Sequence, residues 1–146
     1  MQIKHGTLVM VADGTKMLLF RNEGDEKFIV LETLEHEVDA NPKSSDQGTD
    51  TPGRVQSRVG SGRSSYDETD WHQQSEDEFA RTAAGILESA AEQHGDAGIV
   101  VISAPRTLGE LRKQYGGATK KAVICEIDKD LANHTTDHIA EVIAAQ

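Results

Sequence analysis

Short apolar runs alternate with turn signals in the N-terminal third of the chain. Residues 7–12 are apolar and β-favouring, and the dipeptide Asp13-Gly14 ends them. Because this dipeptide is a strong hairpin-turn signal, residues 16–21 are predicted to form the returning strand. After a second turn, residues 27–35 alternate imperfectly between apolar and polar positions and predict a third strand. The N-terminal third is therefore predicted to be an antiparallel meander.

The second half of the chain alternates between helical and strand periodicity. Apolar residues at helical spacing predict a long helix that Ser75 caps and Gly95 ends. Residues 99–102 are continuously apolar, which is typical of a strand buried on both faces. The remaining predicted elements are a helix opened by the capping-box pair Thr107 and Glu110, a strand over 122–127 and a last helix capped by Thr136.

The order of these elements is β-β-β-α-β-α-β-α, with a long loop before the first helix. Strands that are separated by helices are expected to be parallel and to have right-handed crossovers. The chain is therefore predicted to be an α/β domain, a ribonuclease-H-like mixed five-stranded sheet with helices packed on it. Its 146 residues are enough for one hydrophobic core, so residues 1–146 are predicted to form a single domain.

The segment 37–75 lacks hydrophobic periodicity and is predicted to be a long flexible loop. Within it, residues 51–66 contain three arginines and no acid, whereas residues 67–78 contain six acids and no base. Structureless connections of this length are uncommon in compact domains and are usually functional or disordered. Glycine lets the backbone approach a ligand closely, and arginine binds phosphate or carboxylate. The candidate contact residues are Arg54, Arg58, Gly60, Gly62 and Arg63; the alternative is a flexible hinge with an incidental arginine.

A second basic segment lies outside the loop, at residues 105–121. It contains Arg106, Arg112 and Lys113, followed by Lys120 and Lys121. The formal net charge of the chain is −10, so any contact with an RNA backbone must use a local basic patch. We interpret this segment as a second candidate contact for RNA. A solvated helix face explains it almost as well.

Two further sets of residues are candidates for metal chemistry. Asp13 and Asp128 follow the first and last predicted strands, and two-metal nucleases hold their ions on acids of this kind. A turn and a helix cap explain both aspartates better. His134 and His138 have the spacing of two ligands on one helix face, but no third ligand stands at a convincing spacing. We therefore predict no catalytic residue, no metal and no cofactor.

The sequence also indicates a location for the chain. Its apolar runs all fall short of the ~18 residues that a membrane helix requires. The N-terminus lacks the basic and apolar regions of a signal peptide. Cys125 lies in an apolar run and is predicted to be a buried, inert thiol. The expectation is a cytoplasmic protein that does not insert into membranes.

Several segments resemble the bacterial host-attachment protein family. The resemblance covers essentially the whole chain, and residues 105–112 are its most specific part. The similar segments are 11–14, 46–54, 60–64, 79–80, 104–112 and 126–131. That family is thought to resemble the middle domain of archaeal and eukaryotic class-1 release factors and of the related Pelota rescue factors. The implied fold agrees with the element order given above.

In the release factors, a Gly-Gly-Gln loop precedes the long helix and reaches the peptidyl-transferase centre. Residues 60–65 occupy the comparable place in this chain, but the tripeptide Gly-Gly-Gln does not occur in the sequence. The resemblance therefore does not imply peptidyl-tRNA hydrolysis by this route. It favours a non-catalytic interaction protein that associates with the ribosome or RNA. The alternatives are a metal-dependent nuclease or other hydrolase, and an adaptor for a regulatory or cell-surface protein.

Overall fold

The computed structural model describes the backbone of residues 1–38 and 65–146, and the side chains of residues 1–34 and 76–146. The elements in these residues are, in chain order, β1 (Leu8–Ala12), β2 (Lys16–Asn22), β3 (Leu31–Val38), α1 (Ser65–His94), β4 (Ile99–Ser103), α2 (Pro105–Gln114), α3 (Gly117–Ala122), β5 (Val123–Ile127) and α4 (Thr136–Ala144). A short 3₁₀ turn, Gly95–Ala97, joins α1 to β4.

The strands form one mixed sheet in the order β3-β2-β1-β4-β5. β2 is antiparallel to both β1 and β3, whereas β4 is parallel to both β1 and β5. The predicted α/β class and mixed five-stranded sheet are therefore confirmed. The more specific relation to ribonuclease H stays a prediction.

The two central strands are buried on both faces. Every residue of β1 and of β4 is buried. Alternate residues of β1 belong to two separate clusters: Leu8 and Met10 pack with α1 and α2, whereas Val9 and Val11 pack with α4. The continuous apolar runs in the sequence thus have the expected cause, which is that helices cover both faces of the sheet.

The hairpin turn between β1 and β2 is built around Asp13. Its Oδ1 atom accepts hydrogen bonds from the backbone N–H groups of Thr15 and Lys16, both at 2.8 Å. Its own N–H donates to the carbonyl of Lys16 at 2.9 Å. The predicted turn is therefore confirmed, and the Asp13 carboxylate has a structural role in it.

The predicted bounds of the long loop are wrong at both ends. β3 ends at Val38, and α1 begins at Ser65, ten residues before the predicted cap at Ser75. Residues 65–75 contain neither glycine nor proline, so nothing in the sequence stops the helix from extending through them. The rest of the predicted loop, residues 39–64, lies outside the described residues. The C-terminal end of α1 is His94, as the Gly95 signal predicts.

The starts of two other helices also differ from the prediction. α2 begins at Pro105, and the predicted capping box at Thr107 is wrong because that residue lies inside the helix. Proline suits the first helical position because its fixed φ is already helical. α4 is capped by Thr135 rather than Thr136, since the Thr135 hydroxyl accepts a hydrogen bond from His138 N–H at 3.1 Å.

The short helix α3 was not predicted, and a residue distant in sequence caps it. Glu88 of α1 accepts hydrogen bonds from Ala118 N–H at 3.1 Å and from Thr119 N–H at 3.0 Å. The Thr119 hydroxyl donates a third bond to the same carboxylate at 2.8 Å. These bonds, above all the one from the Thr119 backbone, lower the pKa of Glu88. A single carboxylate therefore joins α1 to the N-terminus of α3.

Gly116 leaves the space that this carboxylate occupies. A Cβ atom at Gly116 would lie 2.4 Å from the carboxyl carbon of Glu88. We predict that Gly116→Ala lowers Tm by several degrees, because the methyl group displaces the carboxylate and breaks the cap. Thermal unfolding followed by circular dichroism measures this. Gly117→Ala is the matched control, since a Cβ atom there meets nothing within 4 Å.

A double-mutant cycle connects the effect to Glu88. If the cap is the cause, Gly116→Ala adds little to the loss in a Glu88→Gln background. The folded-state pKa of Glu88 is lowered, so its contribution is present above the ordinary carboxyl pKa. It is lost as the pH falls through the lowered value. The difference between Gly116→Ala and the unchanged chain should therefore shrink in acid, and additive losses would contradict this explanation.

Candidate functional site

The arginine- and glycine-bearing part of the predicted loop lies outside the described residues. The candidate residues concerned are Arg54, Arg58, Gly60, Gly62 and Arg63. The structure gives the elements on either side of it, because β3 precedes the segment and α1 follows it. In sequence, the last of these arginines stands two positions before the first residue of α1.

The helix that follows this segment is long and is anchored at its C-terminal half. α1 has 30 residues, which corresponds to about 45 Å of helix. Among the side chains described from residue 76 onward, those from Phe79 to Ala91 include the buried ones, and these pack on the sheet. Ser65 stands about 21 Å along the axis from Phe79, at 1.5 Å per residue. The candidate segment is therefore joined to a helix whose other end is fixed in the core.

Each candidate basic residue of α2 has an acidic neighbour. Arg112 Nη2 lies 2.6 Å from Glu126 Oε1. The other two pairs are Arg106 with Glu76, at 3.9 Å, and Lys113 with Glu110, at 3.3 Å. The three basic side chains are exposed, but their charges are locally compensated. Their predicted contact with RNA stays a prediction.

The Arg112 pair is part of a network that joins α2 to β5. Arg112 Nε also donates to Glu126 Oε1 at 2.8 Å, and the Tyr115 hydroxyl donates to Glu126 Oε2 at 2.7 Å. The bond from Arg112 lowers the pKa of Glu126 and raises the pKa of the guanidinium. Burial, followed by the bond to Glu126, raises the pKa of Tyr115. At neutral pH this network is a charged pair with a neutral phenol.

The sequence reading missed Glu126 as the partner of Arg112. The available signal was an acid isolated within the apolar run 122–127. Lys120 and Lys121 differ from the α2 residues: both are exposed, and neither has an acidic partner among the described residues. The uncompensated charge of the second basic segment thus lies at the end of α3.

The two candidate nuclease aspartates follow strands that are not neighbours. Asp13 comes after β1 and Asp128 after β5, with β4 between them. Neighbouring strands are about 4.8 Å apart, so these two strands are about 10 Å apart. β4 itself ends in Ser103, whose buried hydroxyl has no partner among the described residues. Among the residues that the structure describes, no three or more His, Cys, Asp or Glu side chains lie together in a group able to hold a metal ion.

Two smaller predictions concern the C-terminal region. The rings of His134 and His138 stack with their centroids 4.9 Å apart, and His138 Nδ1 lies 3.7 Å from Glu141 Oε1.

Cys125 lies in β5 and is half-buried, so the prediction of full burial is wrong. The physical reason is its place on a strand at the edge of the described sheet.

None of the helices in the described ranges combines the length and the apolar character needed to cross a bilayer.

We predict that Glu126→Gln lowers Tm by a few degrees at neutral pH, because the ion pair and the charge-assisted bond from Tyr115 are both weakened. The folded-state pKa of Glu126 is lowered, so this contribution is present above the ordinary carboxyl pKa. It is lost as the pH falls through the lowered value. The difference between the two proteins should therefore disappear in acid, which thermal unfolding across a pH series measures.

Glu110→Gln is the matched control for this series. It removes the partner of Lys113 in a pair whose lysine is well exposed, and such pairs contribute little. Equal losses from the two substitutions would show that the Glu126 network is no stronger than an ordinary surface pair.

A comparison with family models identifies the family of the chain, which the geometry alone does not. The model of bacterial archaeo-eukaryotic release factor family 12 matches residues 6–143, and the chain belongs to this family. The resemblance to release factors is therefore confirmed. The narrower relation to host-attachment proteins stays a prediction. A comparison with curated proteins finds no significant match.

Proposed function

We propose that this member of the release factor family acts in translation as a non-catalytic interaction protein. In this proposal it associates with the ribosome or its RNA through the segment that carries Arg54, Arg58, Gly60, Gly62 and Arg63. The family match over residues 6–143 is the observation that carries the proposal. The same role implies a cytoplasmic location, because that is where ribosomes are found.

The distribution of charge supports this segment as the main contact. Phosphate is bound most strongly by cations that have no acid beside them. Residues 51–66 contain three arginines and no acid. By contrast, the three candidate residues of α2 each lie beside a carboxylate. We therefore assign Arg106, Arg112 and Lys113 a secondary part.

The position of the segment supports the same assignment. It precedes α1, and the C-terminal half of that helix is fixed in the core by the buried residues from Phe79 to Ala91. A ligand that is bound by a segment joined to a rigid helix is held in a defined position relative to the rest of the domain. The lack of Gly-Gly-Gln in the sequence separates this role from peptidyl-tRNA hydrolysis by the release-factor loop.

The proposal predicts that replacing Arg54, Arg58 and Arg63 together with alanine abolishes co-sedimentation with ribosomes. Three lost phosphate contacts should also reduce the slope of log K against log salt concentration by about 2 to 3. Sedimentation through a sucrose cushion at several salt concentrations measures both. Arg81→Ala, which removes an exposed arginine from α1, is the matched control. Unchanged co-sedimentation of the triple variant would remove the loop assignment.

A second triple variant tests the lesser role of α2. Replacing Arg106, Arg112 and Lys113 with alanine should weaken association less than the loop variant does. The reason is that each of these cations is already paired with a carboxylate, so it has less positive charge available to bind phosphate. A larger loss from the α2 variant, in a protein that keeps its Tm, would make α2 the principal contact.

A further inference from the structure

The outer edge of β3 is an exposed and partly apolar surface. β3 is the terminal strand of the sheet, and no described strand lies beyond it. Large apolar side chains are exposed at and just before it: Phe28 is 72% exposed and Val30 is 47% exposed. A terminal strand presents unpaired backbone N–H and C=O groups that can pair with another extended chain. We call this surface, formed by Phe28, Val30 and β3 (Leu31–Val38), the β3 edge.

Hydrogen bonds hold the apolar part of the β3 edge in place. Phe28 N–H donates to Asp25 Oδ1, and the Phe28 carbonyl accepts from Asp25 N–H, both at 2.9 Å. Val30 N–H donates to the buried Asn22 side chain at 3.0 Å, and its carbonyl accepts from Glu23 N–H at 2.8 Å. The exposed side chains are therefore presented by a fixed turn.

An open groove lies beside this turn on the α4 side of the sheet. Its volume is about 660 Å³. Phe28, Ile29 and Val30 line one side, and Ala140 and Ala144 of α4 line the other. The groove has room for apolar side chains from a chain that runs along β3.

The acids of β3 occupy one alternate set of register positions. Glu32, Glu35 and Glu37 are paired with Arg21, Leu19 and Met17, three alternate residues of β2. A bulge at Leu34 keeps the acids in this set, because the register shifts between Leu19 and Phe20. β3 contains no lysine or arginine. An added strand with basic residues at every second position would therefore match these acids.

We propose that the β3 edge binds an extended basic segment of a partner protein, which adds to the sheet as a further strand. Backbone hydrogen bonds to β3 provide the pairing. Lysine or arginine residues at alternate positions of the added strand match the register positions of the three glutamates, and the intervening apolar side chains pack against Phe28 and Val30. The proposal does not depend on the function proposed above.

Charge argues against a second copy of this chain as the occupant. Pairing two β3 strands would bring six glutamates together without a lysine or arginine on either strand. Like charges placed opposite one another across a strand pair are destabilising. The same acids that favour a basic partner thus disfavour self-association.

The test uses the full chain and an eight-residue peptide of alternating lysine and valine, the length of β3. We expect saturable shifts of the β3 amide resonances in NMR titrations. A peptide with glutamate in place of lysine should produce none. Phe28→Ala should raise Kd about tenfold, because it removes the most exposed apolar contact. Ile124→Ala is the matched control, since Ile124 is 50% exposed on β5 at the opposite edge.

Three results would overturn the proposal. The first is the absence of shifts in β3, and the second is equal binding of the two peptides. The third is a dimer, seen in sedimentation without peptide, that Phe28→Ala dissociates; this would make a second copy the occupant. The ribosome experiment uses variants of a different segment, residues 54–63. Its outcome therefore neither supports nor overturns the proposal for the β3 edge.

Discussion

Burial of β1 on both faces is the constraint on which the rest of the structure depends. Its five residues are all buried, and it is hydrogen-bonded on one side to β2 and on the other to β4. Such a strand must be apolar throughout, and it needs one helical layer on each face. α1 and α2 supply the first layer and α4 supplies the second. Variation in charge and exposed apolar surface is therefore confined to the periphery, which includes the β3 edge and the outer face of α2.

Two carboxylates add polar connections between elements of this periphery. Glu88 caps α3 from α1, and Glu126 joins β5 to Arg112 of α2. Both have lowered pKa values because they accept hydrogen bonds in the folded state. In a chain with a net charge of −10, the Glu126 pair also compensates the charge of Arg112. Positive charge that is available to a ligand must then come from segments without acids.

Local signals predicted the sheet but not the contacts between distant residues. The apolar run 99–102 and the Asp13-Gly14 turn each specify their element within a few residues, and both predictions are confirmed. α3 was missed because its cap, Glu88, is about 30 residues away in sequence. Arg112 was predicted to contact RNA for the same reason, since its acidic partner, Glu126, lies on another element. The loop arginines fall outside the described residues, so their assignment still rests on composition and family membership.

The two proposed surfaces have opposite charge and lie close together in sequence. The acids of β3 precede the arginines of residues 51–66, and a second acidic run follows at residues 67–78. A ribonucleoprotein presents both phosphate and the basic segments of the proteins that bind it. Under the two proposals, the arginines would contact phosphate and the acids of β3 would contact a basic protein segment, and an assembly of this kind offers both.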